Sequence, residues 1–135
     1  MLEAGEIVTA AMFPIVTRAA YIKFLNPAAR YAMVGVFAAL GADGSPRVAV
    51  TAARADGAFR WQEAEAALTG EFDADRLRDV RLPLDGLSED LFADGPYRAH
   101  LAEVLAGRAV SLAAAAPAVV VLSHGSPAST DRQHH

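Results

Sequence analysis

YIKFLNPAARYAMVGVFAAL, residues Tyr21 to Leu40, decides the fold. Its first five residues alternate. Tyr21, Lys23 and Leu25 fall on one face of a strand, and Ile22 and Phe24 on the other, because successive side chains point to opposite sides. Asn26-Pro27 bends the chain, since the residue before a proline is pushed out of the helical region. From Tyr31 to Leu40 the run is continuously apolar, the pattern of a strand buried on both faces or near an interface. Gly41-Ala42-Asp43-Gly44 is a turn, and Arg47 to Ala53 is the returning strand, with Val48 and Val50 pointing one way. Asp56-Gly57 has the signature of a two-residue hairpin turn, and Phe59 to Trp61 starts a further strand. Strands joined in this way form a meander, so the sheet is antiparallel.

Upstream, Gly5 to Phe13 reads as a strand that Pro14 ends. Downstream the period changes. Glu63 to Leu68 is helical, with Trp61, Ala64 and Leu68 on one stripe and Gly70 as its C-cap. Asp73 caps a short helix through Leu77 and Val80 that Pro83 stops. Leu84 to Ala93 has no single reading. Gly95-Pro96 opens the last helix, proline being tolerated in a first turn. There Tyr97, Leu101, Val104, Leu105 and Leu112 form one apolar stripe, which predicts that 97–112 packs on the sheet. After Pro117 little periodic apolar content remains, and 113–135 is expected to be a disordered tail. Strands first and helices after predict an α+β domain: an antiparallel β-meander sheet with helices packed on one face. Its large core residues are expected among Phe13, Tyr21, Phe24, Tyr31, Phe37, Phe59, Trp61 and Tyr97.

The bulk numbers exclude several classes. A chain of 135 residues fits one domain. It is 53% hydrophobic, which argues against global disorder. The net charge is -4 and basic residues are dispersed, whereas a phosphate-backbone binder needs a concentrated basic face; no nucleic-acid partner is expected. The absence of cysteine rules out disulfides, thiolate catalysis and cysteine-held metal clusters in this chain, and fits a cytoplasmic protein. Glu3 and Glu6 stand where a signal peptide would be basic. No apolar run reaches the roughly 18 residues of a membrane span.

Motifs that carry chemistry are scarce. The histidines, His100, His124, His134 and His135, lack ligand spacing with one another or with a carboxylate pair, so no metal is expected. His-Gly-Ser-Pro at 124–127 is not a nucleophile elbow. No glycine-rich phosphate loop occurs. Gly35, alone in a strand, points to close packing. The acidic residues Glu63, Glu65, Glu71, Asp73 and Asp75 read as a solvated face with capping duty. Lys23, beside Tyr21, reads on its own as a solvated strand position.

Four segments together resemble the FAD-binding (medium) subunit of molybdenum hydroxylases, the carbon monoxide dehydrogenase and xanthine dehydrogenase family. LEAGEIVTA (Leu2–Ala10) resembles the last strand of that family's FAD-binding region. YIKFLNPAARYAMVGV (Tyr21–Val36) resembles the linker and first strand of its C-terminal domain. FRWQEAEAALTG (Phe59–Gly70) and YRAHLAEVLAGRAV (Tyr97–Val110) resemble that domain's first and last helices. The resemblance implies that 1–15 is the terminal strand of a preceding FAD-binding domain and that 16–112 is a C-terminal domain like that of the CO dehydrogenase flavoprotein.

In that family a molybdenum-cofactor large subunit oxidises the substrate. Electrons then cross the 2Fe–2S clusters of a small subunit, reach FAD and pass to an external acceptor. The resemblance therefore implies both subunits as partners, along with an upstream FAD-binding domain. Lys23 takes the place of a lysine that contacts the flavin, and Val8 that of an apolar residue near the isoalloxazine ring. A cation there stabilises negative charge on the reduced ring. The basic residues that some members carry after the lysine are Leu25, Asn26 and Pro27 here. The glycine-rich pyrophosphate segments are missing, so the isolated chain is expected to be inactive and to bind FAD poorly. The alternative is a standalone α+β binding or dimerisation module without redox activity. The resemblance implies that the substrate pocket lies on the molybdenum subunit, so this chain would not reveal which substrate is oxidised.

Overall fold

The apolar run that follows Asn26-Pro27 lies at the centre of a sheet. The computed structural model of the protein describes residues 3–27 and 31–115 and the backbone of 120–124. Along the chain come β1 (Val16–Leu25), β2 (Ala32–Gly41), β3 (Pro46–Thr51), β4 (Phe59–Arg60), α1 (Gln62–Leu68), a 3-10 turn (Ala74–Leu77), α2 (Gly95–Ala115) and β5 (Val120–His124). The strand order is β4-β3-β2-β1-β5. The first four strands form the expected antiparallel meander.

Register sorts the side chains into two faces. Ala20, Ala38 and Val48 share one row, and Ile22, Val36 and Val50 the next. These residues are buried and form the core with Trp61, Ala64 and Leu68 of the α1 stripe and with α2. The helices therefore cover one face of the sheet, as the sequence predicts. Beyond α1, Thr69 is extended and Gly70 adopts a positive φ of 87°, which ends the helix.

The inward face of α2 corrects the predicted stripe. Gly95, Arg98, Ala99, Ala102, Leu105, Ala106, Ala109, Val110 and Ala113 are buried. Leu105 belongs to both readings, and Leu101 and Leu112 pack against the core. Tyr97 and Val104, however, are 43% and 38% exposed. A helix seated on a sheet approaches closely only through small side chains. The alanine face therefore goes inward, and larger residues are displaced to the flanks. Phe13 and Tyr31 are likewise exposed rather than in the core.

Four further expectations are corrected. Gly5–Phe13 forms no strand. Among the described residues no strand pairs with it, and an isolated strand leaves its N–H and C=O groups without partners. Ile7, Val8, Met12, Phe13 and Ile15 are all strongly exposed. The link around Asp56-Gly57 is wider than a two-residue hairpin and spans 52–58. There Ala52 has a φ of 61°, Arg54 bridges to Leu87, and the Arg54 guanidinium lies 3.7 Å over the Phe59 ring. The segment capped by Asp73 is a 3-10 turn that stops at Leu77. The chain is drawn instead toward α2, where the Glu103 carboxylate accepts the Leu82 N–H at 3.0 Å.

The fourth correction concerns the tail. α2 continues to Ala115, and Val120–His124 forms a strand parallel to β1, pairing Ile22 with Leu122 and Lys23 with Ser123. The short apolar run Val120-Val121-Leu122 finds the outer edge of β1 unpaired, and α2 supplies the crossover that a parallel pair requires. Residues 116–119 and 125–135 of the predicted tail lie outside the described residues.

β4 is too short to cover all of β3, and Glu65 completes the edge. Its carboxylate accepts the Val48 N–H at 2.9 Å and pairs with the Arg60 guanidinium. Burial pushes this carboxyl up, but Arg60, the Val48 N–H and Arg47 together hold it below its ordinary value. A depressed folded pKa contributes stability above the unfolded value, lost as pH falls through the folded one. The wild type is therefore expected to lose stability below about pH 4.5. Glu65→Gln should be less stable near neutrality, by about 1–3 kcal/mol, and should show a shallower acid slope. Urea midpoints from pH 6 downward check this, and parallel slopes for the two proteins would contradict it.

Candidate functional site

The face of the sheet opposite the helices carries the residues singled out in the sequence. Tyr21 pairs with Phe37, and Lys23 with Gly35, which pairs in turn with Thr51. These residues point away from the core because they alternate with Ile22, Val36 and Val50. Tyr21, Lys23, Phe37 and Thr51 are half-buried.

The Tyr21 hydroxyl and the Thr51 hydroxyl share a hydrogen bond of 3.0 Å. It crosses above Gly35, where an added Cβ would lie 2.4 Å from both oxygens. Gly35 is thus the close-packing glycine that the sequence suggested, and its missing side chain makes room for the Tyr21 ring. The same gap leaves Lys23 without a side-chain neighbour from β2 in its row. Among the described residues Lys23 makes no hydrogen bond or ion pair. Lys23 lies one row from Tyr21 on the same strand face, and no carboxylate pairs with it among the described residues.

Val8 is placed differently. It lies in the segment before β1, outside the sheet, and is 68% exposed. Lys23 and Val8 therefore sit on separate parts of the described chain. The Tyr21–Thr51 bridge was missed in the sequence, since only register brings β1 and β3 residues into one row across β2. The signal that could have found it is Gly35 itself, a glycine in a strand that needs something to fill the space above it.

His100 is exposed on α2 and the His124 backbone is in β5; His134 and His135 lie outside the described residues. No cluster of three His, Asp or Glu residues could hold a metal among the described residues. No described helix is long and apolar enough to cross a membrane.

An α+β meander with one helix-covered face and one open face is the fold of a domain in carbon monoxide dehydrogenase chains. The carbon monoxide dehydrogenase from Hydrogenophaga pseudoflava, in a structure lacking the Mo-pyranopterin moiety of the molybdenum cofactor, matches with a TM-score of 0.56 at 29% identity over 76% of this chain. A cyanide-inactivated Cu,Mo-CO dehydrogenase has the same fold, with a TM-score of 0.53 at 21% identity over 71% of this chain. The match covers 38% and 36% of those chains respectively. No protein-family model and no curated protein sequence matches this chain. The fold is thus that of a CO dehydrogenase-family domain, in agreement with the resemblance read from the four segments.

Proposed function

We propose that this chain acts as the C-terminal domain of the FAD-binding subunit of a molybdenum hydroxylase-type oxidoreductase in the cytoplasm. In that role it supports electron transfer from iron–sulfur clusters through FAD to an external acceptor, and it is not catalytic alone. One observation carries the reading: Lys23 is held half-buried, with no counter-charge among the described residues, on the open face of a CO dehydrogenase-like sheet.

The residues fit one part of FAD and not the other. Lys23 would face the pyrimidine side of the isoalloxazine, with Val8 offering an apolar contact to the ring. Among the described residues there is no matching cradle for the pyrophosphate. The N-terminus of α2 is already capped, since the Asp94 carboxylate accepts the Tyr97 N–H at 2.8 Å, and a second anion there would be repelled. An upstream FAD-binding domain would hold the phosphates, and Gly5–Phe13, with its exposed apolar side chains, would add a strand to that domain. The molybdenum-cofactor and 2Fe–2S subunits would be the further partners.

FAD supplies the two-electron to one-electron chemistry when bound. Lys23 would place a fixed positive charge where the reduced ring gathers negative charge, stabilising the reduced form. In the complete subunit Lys23→Met, which keeps the aliphatic stem, is expected to make the two-electron potential more negative by an amount equivalent to about 1–2 kcal/mol. Spectroelectrochemical titration checks this. An unchanged potential with FAD still bound would sink the assignment. The chain by itself is expected to bind FAD only weakly, and submicromolar binding with a shifted flavin spectrum would overturn the division of labour between the two domains.

A further inference from the structure

We propose that the groove between α2 and the 3-10 turn is a binding site for a small organic anion with an apolar body. The groove lies on the helix-covered side of the sheet, away from the open face that carries Lys23. Its volume is about 970 Å³, at the upper end of the roughly 300–1,000 Å³ typical of small-molecule sites. Ile22 of β1, Leu77 and Leu112 form its apolar floor. His100, Val104, Gly107, Arg108 and Ser111 form one wall. They recur at helical spacing along a single face of α2. Val104 is exposed because it faces this groove rather than the sheet.

The charge of the lining fixes the kind of ligand. Arg78, Arg81 and Arg108 border the groove, against a single carboxylate, Glu103. That carboxylate is engaged: one oxygen accepts the Leu82 N–H and the other lies 3.8 Å from Arg81. Arg78 pairs with Asp75 at 2.7 Å, but both side chains are largely exposed, so the pair is weak and exchangeable. Arg108 has no ion-pair partner among the described residues. Apolar floor and guanidinium rim together select a ligand that buries a hydrocarbon or aromatic body and presents a carboxylate, sulfonate or phosphate to the arginines.

Gly107 gives the means to close the groove without disturbing the core. A glycine inside a helix is destabilising relative to alanine. Here an added Cβ would meet nothing within 4 Å, so packing does not require the glycine. A larger side chain at this position would extend into open space on the groove wall.

The test uses the whole chain and two dyes, anionic 8-anilinonaphthalene-1-sulfonate and uncharged N-phenyl-1-naphthylamine. Calorimetric titration should show saturable one-to-one binding of the sulfonate, with amide shift changes centred on Val104, Arg108 and Leu112. Gly107→Leu fills the groove with a better helix former. It should weaken both dyes by about tenfold or more without lowering the melting temperature. Arg108→Gln should weaken the sulfonate by about tenfold, the loss of one charge-assisted contact, and leave the neutral dye unchanged. The proposal is overturned by non-saturable binding, by sulfonate binding that survives Gly107→Leu, or by equal loss of both dyes in Arg108→Gln. The exposed apolar segment before β1 offers the sulfonate a competing surface, and survival in Gly107→Leu would assign the binding there.

Discussion

Trp61→Ala is expected to cost about 3–5 kcal/mol, the range for removing a buried large aromatic side chain. Trp61 is 1% exposed and is among the largest fully buried side chains. It stands where three elements meet. Its N–H donates to the Val48 carbonyl at 2.8 Å, its carbonyl accepts the Glu65 N–H at 3.2 Å, and its ring belongs to the core formed by the sheet, α1 and α2. Truncation leaves a cavity between rigid layers that cannot collapse onto it. Small domains have only about 5–15 kcal/mol of net stability, so the variant should be close to unfolded at physiological temperature. Chemical denaturation checks this as a large fall in midpoint at unchanged slope, and a loss below about 1 kcal/mol would contradict the placement. Trp61→Phe should cost less, because the indole N–H is buried without a partner among the described residues and its removal relieves a desolvated donor.

Arg98→Met is expected to cost about 2–4 kcal/mol, as the loss of several hydrogen bonds to a charged, buried group. Arg98 is 3% exposed. From α2 its guanidinium donates to the Met33 carbonyl at 2.8 Å, to the Ala52 carbonyl at 3.4 Å and to the Asp90 carboxylate at 2.6 Å. It thereby ties the start of the helix to β2, to the end of β3 and to the loop before the helix. Asp90 in turn accepts the N–H groups of Phe92 and Ala93. The Phe92 N–H lowers the Asp90 carboxyl against the opposing effect of burial, and the Ala93 N–H and Arg98 lower it further. Methionine keeps most of the stem volume, so packing alone would predict a small loss. The distinguishing readout is local: amide exchange of residues 87–93 should accelerate more than that of β2. Uniform acceleration would mean that Arg98 is an ordinary core residue and not a clamp.

Arg98 also shows where sequence reasoning stops. In YRAHLAEVL it looks like one more polar residue on the outer side of an amphipathic helix. The core-facing side of α2 is nevertheless the one that carries Arg98 and the alanines, because an arginine can be buried where two carbonyls and a carboxylate converge on it. None of those partners is near it in sequence except Asp90. Tyr97 and Val104 were misplaced by the same reasoning, which ranks faces of a helix by hydrophobicity. The sheet ranks them by how closely they let the helix approach.

The candidate site was legible in part. Lys23 and its strand face follow from alternation in Tyr21–Leu25, and Gly35 announced a close approach. That Tyr21 is what approaches, with Thr51 holding its hydroxyl, depended on the register of three strands.

Local chemistry in the sequence alone determined the meander, the position of α1 and the start of α2. Asn26-Pro27, Gly41–Gly44 and Pro96 act on their own neighbours, and the alternation of Val48 and Val50 needs only a strand to express it. The tertiary structure alone decided the parallel pairing of β5 with β1, the alanine face of α2 turned inward, the burial of Arg98 and the groove walled by Gly107 and Arg108. Each of these depends on residues tens of positions apart meeting at fixed distances. A one-residue slip of register or a turn of the helix would leave local preferences almost unchanged while exchanging every one of those contacts.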